Sequence, residues 1–189
     1  GVLAPADLTV TRPDPAILSG FISPGALAPS GIAAAWTVVS GPGTVTFTAP
    51  ANRNTDATFS LPGTYELRLT ATAPGGAPVA DDTVIVTVLE DYAGWAGRLL
   101  SAYPPASQLP GADADGDGQP NLIEYVLGTS PSQQSAGPEL IINGGRLALR
   151  YSVSRFISPG IQIIPQISDD LDSWNEGDGF LNLLITGQT

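Results

Sequence analysis

Acidic side chains alternate with small residues in one twelve-residue stretch that runs from Asp113 to Glu124. This spacing matches the calcium-binding loop, in which roughly six to eight hard oxygen atoms surround the ion and a glycine permits a sharp turn. The predicted ligands are Asp113, Asp115 and Asp117, the backbone carbonyl of Gln119, Asn121 directly or through a water, and both oxygens of Glu124. Carboxylates crowded into so short a loop repel one another, and a bound cation removes that repulsion. We therefore predict a Ca²⁺ site; the alternative is an acidic surface loop that holds no ion.

Two features of the loop favour a solitary, structural site. Position 8 is Pro120, which lacks the backbone N–H that paired loops use to bridge to their twin. No second Asp-rich loop of this kind occurs in the sequence. Magnesium fits less well, because it prefers fewer protein ligands in strict octahedral geometry. We expect calcium to act as a staple, with a dissociation constant in the extracellular range of roughly 0.1–1 mM.

The chain of 189 residues contains no Cys, His, Met or Lys, and its seven cationic side chains are all arginine. The missing Cys and His exclude disulfides, thiol nucleophiles and the usual zinc sites, and the missing Lys excludes Schiff-base chemistry. The formal net charge of −11 argues against nucleic acid as a partner, because nucleic acid requires clustered cations. No apolar run approaches the roughly 18 residues of a membrane span, so we expect no membrane insertion.

No arrangement of the remaining residues predicts catalysis. The pair Asp81–Asp82 and the cluster Asp169, Asp170 and Asp172 fit solvated strand ends or turns better than the paired carboxylates of a glycosidase. No serine lies in a Gly-x-Ser-x-Gly elbow, and the chain has no histidine to activate one. We therefore predict that the chain is not an enzyme.

Residues 1–89 have the pattern of an all-β domain. Strands are predicted near residues 7–11, 16–22, 32–39, 44–47, 57–59, 63–73 and 82–89, with Gly- and Pro-rich turn signals between them. In the sixth of these, Tyr65, Leu67 and Leu69 alternate with polar residues, as in a strand with one buried face. About seven short strands in about 90 residues are typical of an immunoglobulin-like sandwich.

Two aromatic residues occupy places that are characteristic of such sandwiches. Trp36 lies midway along the third strand, where a tryptophan is buried, and Tyr65 opens the sixth strand after a Pro-Gly turn, as a tyrosine corner does. The stretches 36–43 and 57–71 resemble the PKD family of extracellular sandwich modules. A Ser-Gly-Pro-Gly turn replaces the usual Gly-Asp-Gly after the tryptophan, which is closer to the PKD-like variants of bacterial surface proteins. The resemblance covers most of residues 7–89 and implies a spacer or adhesion unit.

After the sandwich, the hydrophobic period changes from two to that of a helix. Apolar residues recur at i, i+3, i+7, i+8 and i+11, which predicts an amphipathic helix over residues 90–103. A second, short helix is predicted over residues 122–127, with Asn121 and Glu124 forming a capping box at its start. Together with the acidic loop, these helices form the predicted helix–calcium loop–helix module of residues 90–138.

Residues 139–189 return to strand-like patterns and predict a small antiparallel β module. The predicted strands are 140–142, 146–153, 161–167 and 180–185. Asn-Gly-Gly at residues 143–145 is a strong hairpin signal between the first two. The predicted fold class is therefore mostly β, with an N-terminal sandwich, a short two-helix linker and a C-terminal β module.

The string from Trp95 through the acidic loop to Pro131 resembles a module near the C-terminus of large secreted bacterial proteins. Its loop is also similar to those of dockerins and thrombospondin type 3 repeats. In the secreted-protein module a β segment follows with a Ser-Asp-Asp-Leu-x-x-Trp signature, which this chain shows at residues 168–174. Because the family continues for another strand or two, the resemblance implies that a final strand is missing after Thr189. A true dockerin carries two calcium repeats, so the resemblance does not imply cohesin binding.

The sequence therefore predicts a non-catalytic, calcium-stabilised spacer, adhesion or assembly region of a larger bacterial protein that is secreted or exposed at the cell surface. Gly1 would begin a mature protein or an excised fragment. The expected partners are the remainder of the larger polypeptide or further copies of the chain. One alternative is a carbohydrate-binding accessory region of a polysaccharide-degrading enzyme, with Trp174, Tyr103 and Tyr151 as candidate exposed contacts. Another is a subunit that self-assembles through strand edges into a fibre or surface layer.

Overall fold

The computed structural model describes residues 1–23, 31–143 and 146–164, together with residues 166, 168, 170, 172, 173 and 175. The chain divides into two compact units, residues 1–158 and residues 159–189. Every helix and strand that is assigned within the described residues belongs to the first unit. None of the helices in this described part is long and apolar enough to cross a lipid bilayer.

Most of the strands precede the helices. They are β1 (Val2–Leu3), β2 (Leu8–Arg12), β3 (Ala16–Ser19), β4 (Phe21–Ile22), β5 (Ala33–Ser40), β6 (Val45–Phe47), β7 (Asn54–Phe59), β8 (Gly63–Thr72), β9 (Pro78–Glu90), β10 (Glu139–Asn143) and β11 (Arg146–Arg150). The helices are α1 (Tyr92–Leu99) and α2 (Asn121–Leu127), with one 3₁₀ turn at Pro105–Gln108 between them.

Two sheets form the N-terminal sandwich. One has the strand order β2-β9-β8-β5 and the other has the order β3-β7-β6. β2 runs parallel to β9, and the other neighbouring pairs are antiparallel. The sheet of β3, β7 and β6 corresponds to the B-E-D sheet of the immunoglobulin fold, and β5, β8 and β9 correspond to its C-F-G sheet. β2 adds a further strand beside β9. The predicted mostly-β fold with an N-terminal immunoglobulin-like sandwich is confirmed.

The inward faces of the two sheets meet in one apolar core. The residues that β8 and β9 bury completely are Tyr65, Leu67, Leu69, Val84, Val86 and Val88. Trp36 on β5 is 3% exposed, and its Nε1 donates to the backbone carbonyl of Arg53 at 3.1 Å. The Tyr65 hydroxyl donates to the Leu61 carbonyl at 2.8 Å, which is the bond of a tyrosine corner. Both predicted aromatic positions are therefore confirmed.

Both helices differ from their predicted bounds: α1 is shorter than residues 90–103, and α2 starts one residue before the predicted residue 122. α1 begins after Asp91, whose Oδ1 accepts the Gly94 amide at 2.7 Å, and it ends at Leu99 instead of residue 103. The capping-box prediction for α2 is wrong, because the helix starts at Asn121 itself and Pro120 is its N-cap residue without a side-chain bond. The Asn121 side chain makes other contacts, which are described with the site below.

The predicted hairpin at the start of the C-terminal region is confirmed. β10 and β11 pair antiparallel, with Asn143 opposite Arg146. The strand predicted at 161–167 is wrong for the described residues 161–164 and 166, which have no strand assignment. A proline at position 165 explains this, because proline removes a backbone donor from a sheet. The strand predicted at 180–185 lies outside the described residues.

Candidate metal centre

The acidic loop brings together the three aspartates that its spacing singles out. Carboxylate oxygens of Asp113, Asp115 and Asp117, one from each side chain, all lie within 4.8 Å of one another. Asp113 organises the turn, since its Oδ1 accepts the Gly116 amide and its Oδ2 accepts the Gly118 amide, both at 2.8 Å. Those two glycines have φ values of 78° and 91°, a left-handed conformation that glycine adopts without the strain of a Cβ atom. The loop therefore curls around its own carboxylates.

Glu124 lies in the first turn of α2, outside the group of three aspartates whose oxygens approach one another within 4.8 Å, and its charge interacts with theirs. The side chain is fully buried, and neither of its carboxylate oxygens has a hydrogen-bond partner among the described residues. Its burial, followed by the negative charges of Asp115, Asp117 and Asp113, raises the pKa of Glu124 from 4.5 to about 7. A buried carboxylate without a partner is costly. A divalent cation among these four acidic groups would supply the missing partner, so the residues present fit the predicted ion.

Asn121 lies at the centre of the module and is completely buried. Its Nδ2 donates to the carbonyls of Ser107 and Leu109 at 2.8 and 3.0 Å, and its Oδ1 accepts the Ala114 amide at 3.3 Å. These bonds tie the start of α2 to the 3₁₀ turn and to the acidic loop. They also explain why the side chain does not cap its own helix. As a direct ligand, Asn121 would share Oδ1 between the ion and this amide.

Asp117 is the most extensively bonded of the three aspartates. Its Oδ1 accepts the Gln119 amide at 2.8 Å, and its Oδ2 accepts both the amide and the hydroxyl of Ser135, at 2.9 and 3.1 Å. The Ser135 amide is the first cause, and the Gln119 amide the second, of a pKa of Asp117 below its ordinary value. No sequence signal indicates Ser135, which lies 18 residues further along the chain.

Glu90 joins the sandwich to the helices, and the sequence analysis missed this role. The residue ends β9 and is only 2% exposed. Its carboxylate binds Arg12 of β2 and, at 2.5 Å, Arg98 of α1. Its backbone carbonyl accepts the Tyr125 hydroxyl of α2 at 2.5 Å and the Ser158 amide at 3.1 Å. Glu90 thus connects the ends of β9 and β2 with both helices and with the segment that follows β11.

Tyr125 makes the second half of this junction. Its hydroxyl, besides donating to Glu90, accepts the Ser158 amide at 2.9 Å. Its ring packs edge-on against Trp95 and Tyr92, with centroid distances of 5.6 and 5.7 Å. Since Tyr125 follows Glu124 directly in α2, the same helical turn contacts both the acidic loop and the end of the sandwich.

The acidic clusters outside the loop close turns and strand ends. Asp81 lies 3.3 Å from Arg68. Asp82 accepts the amides of Ala4 and Thr83, both at 2.9 Å. The Asp170 Oδ1 accepts the amides of residues 172 and 173 at 2.9 and 2.7 Å.

The aromatic residues singled out as candidate carbohydrate contacts do not form an exposed set in the described part of the chain. Tyr103 and Tyr151 are half-buried instead of exposed, which corrects that expectation. Trp174 lies outside the described residues, as does Asp169. The described part of the chain therefore offers no row of exposed aromatic rings of the kind that binds sugars.

No protein-family model and no curated protein sequence matches the chain. Among solved structures, it is similar to the PKD domain of the KIAA 1837 protein, with 24% identity and a TM-score of 0.37 over 47% of this chain and 85% of that chain. It is also similar to the PKD domain of human KIAA0319, with 23% identity and a TM-score of 0.38 over 47% of this chain and 80% of that chain. A mutant of the SrpA adhesin from Streptococcus sanguinis is 10% identical, with a TM-score of 0.31 over 84% of this chain and 95% of that chain. The fold assignment rests on the strand order and core described above.

Proposed function

We propose that this chain is a non-catalytic spacer or adhesion region of a larger extracellular or cell-surface protein, and that one Ca²⁺ ion stabilises its helical segment. The observation that carries the proposal is Glu124, a fully buried carboxylate without a hydrogen-bond partner in the described residues, whose charge interacts with those of the three clustered aspartates. Buried charges in proteins are normally paired or bound to a metal.

The donor set supports calcium over other ions. The proposed ligands are the carboxylates of Asp113, Asp115, Asp117 and Glu124, the carbonyl of Gln119 and, through a water, Asn121. These atoms are all hard oxygens, which suit Ca²⁺, whereas the soft sulfur and imidazole ligands that favour zinc or copper are absent from the sequence. With both Glu124 oxygens available, the set reaches the six to eight ligands, roughly, that calcium takes.

The position of the site supports a structural role. The chain has no cysteine, and small extracellular modules without disulfides commonly use a metal to supplement a limited core. An ion held by Glu124 would fix the first turn of α2. The neighbouring Tyr125 bonds to the Glu90 carbonyl at the end of the sandwich. Calcium would in this way stiffen the connection between the sandwich and the segment that follows it, as a spacer requires.

Calorimetric titration and thermal unfolding test this proposal. We expect one Ca²⁺ to bind per chain and the melting temperature to rise, because a ligand at about 100 times its dissociation constant adds about 2.7 kcal/mol of stability. Glu124→Gln should abolish both effects. Asp56→Asn is the matched control, since it removes one exposed carboxylate from β7, far along the chain from the loop, and should leave both effects intact. Wild-type protein that neither binds calcium nor gains stability would refute the proposal.

A further inference from the structure

Residues outside the twelve-residue loop hold one of its carboxylates in place. We infer that Ser135 is a positioning residue for the cation site, so that residues 135–137 form a second part of this site between α2 and β10. The inference rests on the proposed calcium function and goes beyond it, since the twelve-residue spacing of the loop does not include this segment.

The hydrogen bonds at Asp117 divide its two oxygens into different roles. Oδ2 accepts three donors, namely the Ser135 amide at 2.9 Å, the Ser135 hydroxyl at 3.1 Å and the Gln119 Nε2 at 3.1 Å. Oδ1 accepts the Gln119 amide at 2.8 Å, and a carboxylate oxygen has two lone pairs. Ser135 therefore occupies Oδ2 and fixes the rotation of the carboxylate, which leaves a lone pair of Oδ1 for the ion.

The same segment also holds Gln119, whose backbone carbonyl is another proposed ligand. The Gln119 Nε2 donates to the Ser135 carbonyl at 3.0 Å. A Cβ atom at Gly137 would lie only 3.0 Å from the Gln119 Oε1, so this glycine allows the close approach of the two segments. Ser135 therefore constrains the side chains at positions 5 and 7 of the loop together, and Gly137 leaves room for the second of them.

The exposure of the segment shows where it is attached. Residues 132–134 and 136–138 are all exposed, and Ser135 between them is half-buried against the loop. Because no apolar core holds these residues, their order depends on the bonds to Asp117 and Gln119. Coupling of this kind is reciprocal: Ser135 strengthens ion binding, and the ion must order Ser135 to the same extent.

Calorimetric Ca²⁺ titration of three variants tests the positioning role. Ser135→Ala should weaken calcium binding about tenfold, the lower end of the effect of losing an outer-shell partner, because the backbone amide bond remains. Ser135→Thr keeps the hydroxyl and should restore the affinity. Ser132→Ala is the control within the same segment, since its hydroxyl contacts Ser130 and not the loop. A Ser135→Ala protein that melts earlier in chelator but binds calcium with wild-type affinity would show a merely structural role and overturn the inference.

Amide hydrogen exchange of the unsubstituted protein gives a second, independent test. Calcium should slow the exchange of the Ser135 amide about as much as Ser135 strengthens ion binding, whereas the Ser132 amide should change little. Equal Ser135 exchange in calcium and in chelator would overturn the inference even if Ser135→Ala failed to fold. If wild-type protein binds calcium and these tests fail, only the inference about Ser135 is refuted. If wild-type protein does not bind calcium, the proposed function and the inference are both refuted.

Discussion

The sandwich and the helical segment after it bury different kinds of side chain. The fully buried large residues of the sandwich are apolar or, in Tyr65, aromatic with its one polar atom bonded to the backbone. The helical segment buries Asn121 and Glu124 just as completely, and Glu90, which ends β9 where that segment begins, is only 2% exposed. Apolar burial stabilises a core without regard to ions, whereas buried charge requires a partner. The two regions should therefore respond differently to calcium, pH and mutation.

The largest expected effect is in the sandwich and does not depend on calcium. Leu67→Ala removes a completely buried side chain from β8 and should lower the free energy of unfolding by about 2–5 kcal/mol. Urea unfolding should give the same loss in calcium and in chelator. Ile17→Ala is the control on the outer face of β3, where Ile17 is 70% exposed, and should cost less than about 1 kcal/mol. A Leu67→Ala loss that calcium reverses would remove the distinction between the regions.

The second effect is a pH dependence that belongs to the helical segment. The pKa of Glu124 is about 7 in the folded protein and 4.5 when unperturbed, so between these values the folded state holds a proton that the unfolded state has lost. The contribution of Glu124 to the stability of calcium-free protein should therefore be greatest below about pH 4.5 and fall by about 3 kcal/mol as the pH rises through 7.

Glu124→Gln gives the measurement that isolates this effect. Glutamine does not titrate in this range. In chelator, the urea midpoint of Glu124→Gln should therefore change much less between about pH 5 and 8 than the urea midpoint of the wild type. An equally steep pH dependence in wild type and variant would mean that another group is responsible.

A third prediction compares two buried tyrosine hydroxyls. Tyr125→Phe removes bonds to the Glu90 carbonyl and the Ser158 amide, and Tyr65→Phe removes the bond to the Leu61 carbonyl. Each should cost about 1–2 kcal/mol. Only Tyr125→Phe should also reduce the rise in melting temperature that calcium causes, because Tyr125 adjoins Glu124 in α2. Equal calcium effects in the two variants would disprove the connection between the ion site and the junction.

The smallest effect is expected for an exposed ion pair of the sandwich. Arg68 and Asp81 lie 3.3 Å apart with side chains 43% and 54% exposed, and such pairs contribute at most about 0.2–1 kcal/mol. Asp81→Asn should therefore cause only a very small shift of the urea midpoint, and this shift should be smaller still in high salt. A loss above about 1.5 kcal/mol would show that Asp81 has a role that its exposure does not indicate.

Regular repetition made the sandwich and the acidic loop predictable. Alternation of Tyr65, Leu67 and Leu69 on β8 identifies the buried face, because side chains of a strand point to opposite sides in turn. The loop is equally local, since its proposed ligand positions lie within twelve residues and glycines supply the turn. In both cases the information is contained in neighbours along the chain.

Two errors occurred where a distant contact overrode a local preference. Asn121 has the residue type of a helix cap, yet its amide bonds to residues 107–109 and to Ala114. Glu90 suits the start of a helix, yet two arginines from different elements draw its carboxylate inward. Side-chain hydrogen bonds compete for the same polar atoms, and spacing alone does not reveal which partner is nearer in space.

The sequence by itself determined the immunoglobulin-like sandwich, the spacing of the acidic loop and the chemical classes that the missing residue types exclude. Each of these depends on composition or on short-range periodicity. Only the tertiary structure decided that Glu124 is buried without a hydrogen-bond partner among the described residues, that Ser135 bonds to Asp117, and that Glu90 and Tyr125 meet at the end of the sandwich. Burial and long-range hydrogen bonds arise when segments far apart in the chain pack together, and that packing assigns the polar residues of the helical segment their roles.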